Sequence, residues 1–297
     1  MYNRMVSIED EWGEYIKISA FKSKNTIASY KNAHGRLTEY LEKPIHKTTA
    51  PAIIAAVREL ATNPNTRSSL LNVAIVFYGI YDKNNSKLLK YKTEVAKEIA
   101  EHREKSLASK EQVLPDMEFI NKHLKGLFVA ERWADFIIMW LMVEFNTRNA
   151  DVDVEIVDTI HKTKRDKMRN YLVVRREDFV YIRRNYKTYK TYREKRFVFK
   201  NQLIKRAVRY FKAEMPPNSR LFLMNHNGDR LSEGSIANYL KKILPEGITE
   251  SDINKIQVSE IESLADYGAL VEMGKRRGTS VETLINNYHL KHAIKKN

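Results

Sequence analysis

The run Arg132-Trp-Ala-Asp-Phe-Ile-Ile-Met-Trp-Leu-Met-Val-Glu-Phe145, followed at once by Asn146-Thr-Arg-Asn-Ala-Asp-Val152, sets the architecture. Its first part is apolar almost all round, the mark of a helix enclosed in the middle of a domain rather than lying on its surface. The densest piece, Phe136 to Val143, is far shorter than the roughly 20 residues a transmembrane helix needs, and no run of about 18 uncharged apolar residues exists. Beyond Arg148 the pattern changes. Tyr171 to Val174, Phe179 to Arg183 and Arg196 to Phe199 are short and rich in β-branched and aromatic residues, and read as strands. A buried helix followed by a few strands predicts a mainly α domain with a small antiparallel β-sheet, an α+β fold.

On either side of this centre the chain reads as helical. Upstream, Asn25-Thr26 can cap a helix carrying Ile27, Tyr30, Leu37 and Leu41 on one face. Helical patterns follow at Ile53 to Leu60, Ser68 to Tyr81 and Lys92 to Lys105, and Met117 to Leu127 is amphipathic. Downstream, helices are expected at Lys200 to Phe211, Ser235 to Ile243, Glu250 to Tyr267 and Ser280 to His292. His226-Asn-Gly-Asp reads as a turn, with Ser232 as a cap just beyond it. The charged, small-residue stretch that ends at Pro115 reads as a linker. The expected organisation is a helical domain over 1–105, a linker over 106–116 and a larger domain over 117–297.

Charge narrows the function. The 297 residues carry 52 Lys+Arg against 37 Asp+Glu, a net +15. His161 to Lys212 alone holds 19 Lys/Arg and 4 Asp/Glu, so the rest of the chain is neutral. A block this one-sided, with Tyr171, Phe179, Tyr181, Tyr186, Tyr189 and Tyr192 among its cations, is the footprint expected of a polyphosphate binder. An acidic-protein or lipid surface is the alternative. There is no cysteine, so disulfides, thiolate zinc sites and cysteine nucleophiles are excluded. The N-terminus has no signal-peptide core, which predicts an intracellular protein associated with DNA rather than a secreted one.

The order of features then carries a resemblance. A buried helix, a lone Arg in Phe145-Asn-Thr-Arg-Asn-Ala-Asp-Val, basic strands with a lysine-bearing turn, further helices and a late Tyr resemble the tyrosine recombinase (phage integrase) family. The likeness spans most of the chain and implies a two-domain architecture that clamps double-stranded DNA. It also implies strand cleavage by a Tyr that forms a 3′-phosphotyrosine, two Arg on the phosphate oxygens, a hairpin Lys as acid and assisting His residues. Phosphoryl transfer builds negative charge on oxygen, so fixed cations and an acid are what the chemistry needs. By this resemblance Arg148 is the first Arg, Lys190 the hairpin Lys with Lys187 as its rival, and Tyr288 the nucleophile. As for Tyr288, it shares a helix face with Val281, Leu284 and Ile285, so a core role is the competing assignment. Arg183, Arg184, Lys187, Arg193, Lys195 and Arg196 are the expected DNA-backbone contacts.

The departures from the family pattern matter as much. Aligned on it, Ser251-Asp-Ile-Asn254 covers the His-x-x-Arg motif, replacing His by Ser251 and Arg by Asn254, while Thr279 stands at the later His or Trp. Asn254 brings no charge, and Ser251 and Thr279 are poor proton carriers near neutral pH. Lys255, Arg276 and Arg277 are the cations near enough in sequence to substitute. Two functions therefore stay open. One is a working recombinase or integrase, needing neither metal nor nucleotide cofactor. The other is an architectural DNA-binding component of a nucleoprotein assembly, as on a virus or mobile element. A homo-oligomer on DNA is compatible with both, and no membrane partner is expected. Asp151, Asp153 and Glu155 form the one carboxylate group resembling a Mg²⁺ site, and are expected to be caps and surface charge instead. Glycine-rich phosphate loops and hydrolase or zinc-protease motifs are absent.

Overall fold

In the computed structural model, residues 7–19, 22–111, 114–215, 223–224, 227–261 and 267–288 are described. The chain divides into two compact units, 1–105 and 106–297.

The first unit is helical: α1 (Ile8–Ile18), α2 (Lys24–Leu41), α3 (Ala50–Leu60), α4 (Pro64–Ile80) and the start of α5 (Ser86–Glu111). Ser7 and Asp10 close a reciprocal capping box on α1, satisfying backbone N–H groups that the first turn leaves open. The cap of α2 is Ser23, whose hydroxyl accepts from the Thr26 N–H, two residues earlier than the expected Asn25-Thr26. Leu37, Ile53, Val57, Leu71, Ala74 and Phe77 fill the core. The α5 helix runs on to Glu111, so the start of the stretch read as a linker is helical.

The second unit is built round α7 (Trp133–Phe145), preceded by α6 (Met117–Val129). Nine of the thirteen α7 residues are buried, as its all-round apolar pattern requires. A four-stranded sheet follows, in the order β1 (Val154–Val157), β2 (Asn170–Val174), β3 (Phe179–Arg183), β4 (Lys195–Phe199). The three expected strands pair antiparallel, but β1 was not expected and pairs parallel to β2, so the sheet is mixed. β1 is only four residues long and carries Glu155, too little alternation to stand out. A parallel pair needs a long return, and residues 158–169, with a 3₁₀ turn at Ile160–Lys164, provide it.

The short α8 (Tyr189–Tyr192) lies in the β3–β4 connection, and α9 (Gln202–Glu214), α10 (Glu233–Ile243), α11 (Glu250–Ser259), α12 (Tyr267–Arg277) and α13 (Val281–Tyr288) complete the unit. Ser232 caps α10 as expected. The helix expected over Glu250 to Tyr267 is instead two helices, one ending at Ser259 and one starting at Tyr267. The part of the expected last helix beyond Tyr288, with His289 and His292, lies outside the described residues. Among the described residues no helix is long and apolar enough to cross a membrane.

Candidate active site

Four elements of the second unit converge on one cluster. The α7 helix ends at Asn146, which adopts the left-handed conformation (φ 49°) and hydrogen-bonds through Nδ2 to Gln257 Oε1 of α11 at 2.6 Å. The chain then enters a 3₁₀ turn, in which the Arg148 N–H donates to Asp151 Oδ2 (3.1 Å) and the Asp151 N–H to Arg148 O (2.8 Å). This locks Arg148 beside the cluster, half-buried, with Nη1 buried and lacking a hydrogen-bond partner among the described residues.

From the other side, α12 delivers Arg277, only 2% exposed. Its Nη1 donates to Asn146 O (3.2 Å), and its Nη2 donates to both Glu250 Oε1 (2.9 Å) and the Tyr288 hydroxyl (3.3 Å). The guanidinium also sits over the Tyr288 ring, 5.0 Å from its centroid. Gly278 makes this possible. At φ +75° it turns the chain sharply after Arg277, and a Cβ there would meet Thr188 Oγ1 at 2.8 Å and Tyr186 Cε2 at 3.0 Å. The Thr188 hydroxyl donates to Gly278 O (2.8 Å), tying the β3–β4 connection to the α12–α13 turn.

The sheet contributes the third side. Arg183 and Lys195 face each other in register where β3 and β4 begin to diverge. Lys195 is half-buried, and burial, followed by the positive charges of Arg183 and Arg148, pushes its ammonium down to about 8. Burial and the Arg277 charge likewise lower Arg148 from the ordinary guanidinium value. Arg148, Arg183, Arg277 and Lys195 thus share a small volume with two carboxylates, Asp151 and Glu250. Among the described residues the four cations exceed the two carboxylates by two charges, and buried donor nitrogens on Arg148 and Arg277 lack hydrogen-bond partners. Such a set of donors can bind a group with several acceptor oxygens, as a phosphodiester has.

Several expected site residues fall elsewhere. Lys190 and Lys187 are exposed in the β3–β4 connection, and the lysine next to Arg148 and Arg183 is Lys195. Arg183 and Arg184, expected at the DNA backbone, are interior. Arg183 is wholly buried in an ion pair with Asp151 (2.5 Å) and also donates to Arg276 O (2.5 Å). Arg184 pairs with Glu194 and donates to Thr163 O (2.6 Å). Both are thus engaged with partners inside the unit rather than exposed on its surface. Arg193 and Arg196 are exposed, and Arg196 pairs with Glu194.

Asp151, Asp153 and Glu155 are committed to three different arginines, Arg183, Arg230 and Arg169, so they form no shared metal site and are not surface charge. Among the described residues no cluster of three His, Cys, Asp or Glu could hold a metal. Of the three departures from the family pattern, Ser251 and Thr279 are half-buried. Asn254 is buried, with both side-chain polar atoms lacking hydrogen-bond partners among the described residues. Of the three cations that could substitute, Lys255 pairs with Asp252 and Arg276 donates to Glu144 O, leaving Arg277 as the one on Tyr288. Glu250 carries no signal in the sequence that would mark it as a site residue; only the packing of its helix brings it here.

No family model and no curated protein matches the chain. Among solved structures it is similar to the XerH site-specific recombinase bound to a palindromic difH substrate in a post-cleavage complex. The TM-score is 0.58 at 10% identity, covering 95% of this chain and 80% of that one. It also matches XerA recombinase at a TM-score of 0.41 and 11% identity, over 97% of this chain and 95% of that one. The protein is mainly helical with a small mixed sheet, divides into two units, and is similar in fold to the DNA-bound XerH recombinase.

Proposed function

We propose that this chain is a DNA-binding protein of the tyrosine recombinase type that cleaves and rejoins DNA through Tyr288. The observation that carries the proposal is the contact of Arg277 with the Tyr288 hydroxyl, inside a cluster whose cations exceed its carboxylates by two charges among the described residues. The fold likeness to XerH, captured on its DNA substrate after cleavage, supports the same partner. In the reaction the Tyr288 oxygen attacks phosphorus, the bond from phosphorus to the 5′ oxygen breaks, and a 3′-phosphotyrosine forms. Arg148 and Arg277 hold the non-bridging oxygens as charge builds on them. Lys195, the lysine inside the cluster, protonates the departing 5′ oxygen and takes the general-acid role expected of Lys190. Glu250, on the same guanidinium nitrogen as the phenol, is placed to receive the phenolic proton. Exposed Lys187, Lys190, Arg193 and Arg196 contact the DNA backbone around the site.

A second reading, DNA binding without chemistry, is favoured by one feature: Ser251, Asn254 and Thr279 bring neither a cation nor an imidazole to the site. One experiment separates the two. Wild type and Tyr288→Phe are incubated with fragments of the source genome, and complexes are resolved before and after denaturation in detergent. A protease-sensitive DNA adduct in wild type alone supports cleavage through Tyr288. Binding without an adduct across the fragment set supports the architectural reading, and no binding overturns both.

A further inference from the structure

The β3 and β4 strands run away from Arg183 and Lys195 and end at Phe179 and Phe199, four residues and roughly 14 Å from the catalytic cluster. There α9 lies alongside the end of β2, and the two border a groove of about 630 Å³. The buried face of α9, Ile204, Ala207 and Val208, is spent on the core. Its outer face carries Lys205, Arg206, Arg209 and Lys212, all exposed. No ion pair joins any of the four to a carboxylate among the described residues, although the Lys212 charge is felt at Asp158. Lys205 donates to Arg176 O, while Arg206 and Arg209 lie over the Tyr210 ring. Other cations of this unit, Lys162, Arg175 and Lys275 among them, do have a nearby acid.

We infer that this groove is a second DNA-binding surface, which takes the phosphate backbone of a duplex segment other than the one at Tyr288. Four cations over two helical turns span roughly 10 Å, enough to meet successive phosphates along a strand. Four of the seven residues that line the groove, Lys205, Arg206, Arg209 and Lys212, are cations and none is an acid, which complements a phosphate backbone. The groove lies at the far end of β3 and β4 from Arg183 and Lys195, so that one subunit would present two phosphate-binding surfaces on the same sheet. The inference rests on the DNA-binding function proposed above.

The test is a bridging assay with the full-length chain. One duplex is fixed to beads, protein is added, and capture of a second, labelled duplex is measured, alongside affinity for a single duplex. The variant is Lys205→Glu/Arg209→Glu/Lys212→Glu, with the neutral Gln triple as a second version; Arg206 is kept because it also packs on Phe128. The expected result is at least a tenfold loss of bridging in both variants, with single-duplex affinity and Tyr288 adduct formation within about twofold of wild type. The log–log salt slope of bridging should fall by roughly 2–3, since three fewer phosphates are neutralised. Unchanged bridging overturns the inference and assigns the groove to another class of partner. A parallel loss of single-duplex affinity also overturns it, making α9 an extension of the first interface. Failure of wild type to bridge while binding one duplex overturns this inference alone, and failure to bind any duplex overturns the proposed function with it.

Discussion

The guanidinium of Arg277 reaches the hydroxyl of Tyr288 from the last residue of α12, donating from Nη2 at 3.3 Å, while the same nitrogen holds Glu250 at 2.9 Å. In the proposed reaction a cation here would stabilise the phenolate that attacks and the phosphate oxygens that receive it, most of all in the transition state. Arg277→Ala should therefore cut adduct formation by roughly 100–1000-fold, the usual cost of losing one preorganised donor. DNA affinity should change much less, because the exposed cations remain. Arg277→Lys should recover only part of the rate, since an ammonium cannot reach Asn146 O, Glu250 and the phenol in one plane. Single-turnover adduct formation against filter-binding affinity makes the comparison, and an equal loss in both would reduce Arg277 to a structural residue.

Lys195 titrates near 8 through burial and the neighbouring Arg183 and Arg148 charges. A general acid works only while protonated. Adduct formation at limiting DNA should therefore be level at lower pH and fall as pH rises through about 8. Lys195→Met should remove that limb and lower the rate at neutral pH by roughly 100-fold or more, at the low end of what one acid contributes. Lys190→Met should leave the limb in place. A DNA substrate whose leaving 5′ oxygen is replaced by sulfur needs no acid and should restore Lys195→Met.

What was legible in the sequence follows from which features are local. The apolar circumference of α7 and the β-branched and aromatic runs of β2 and β3 are properties of consecutive residues, and both appear where expected. β1 was not legible because a four-residue strand with a charge inside it gives no period, and its parallel pairing depends on a return of twelve residues. Arg183 and Arg184 show the limit in the site. A pair of arginines in a basic block looks like a phosphate contact, but Arg183 neutralises the buried Asp151, thirty-two residues away in sequence. Lys195 could have been separated from Lys190 by register, as the residue opposite Arg183 on the paired strand. Arg277 and Glu250 meet only through the tertiary packing of α11, α12 and α13. No spacing announces that.

Arg183 and Asp151 form an ion pair at 2.5 Å with both side chains buried. Arg183→Ala leaves a buried carboxylate unpaired, and should cost about 3–5 kcal/mol in chemical denaturation of the second unit. Replacing both residues, as in Arg183→Met with Asp151→Leu, should recover much of that loss, because no lone buried charge remains. Arg193→Ala, on the exposed connection, should leave the denaturation midpoint unchanged.

Glu11 in the first unit is wholly buried, and its stability is linked to acid. Burial alone would raise its carboxyl. Hydrogen bonds from the His34 ring at 3.0 Å, the His46 ring at 2.7 Å and the backbone N–H groups of Ile45 and His46 outweigh burial and hold it below the ordinary carboxylate value. A carboxyl depressed in the folded state contributes stability that is present in full above the unfolded value, near 4.5, and is lost as pH falls through the folded one. The melting temperature of the first unit should therefore hold at neutral pH and drop as pH is lowered below about 4.5. Glu11→Ala should remove that acid dependence and lower stability at pH 7 by roughly 3 kcal/mol or more, since both histidines and two backbone donors lose their acceptor. Thermal unfolding followed by circular dichroism from pH 7 to 3, for both proteins, decides it: an unaltered acid dependence in the variant would place the linkage in some other carboxylate.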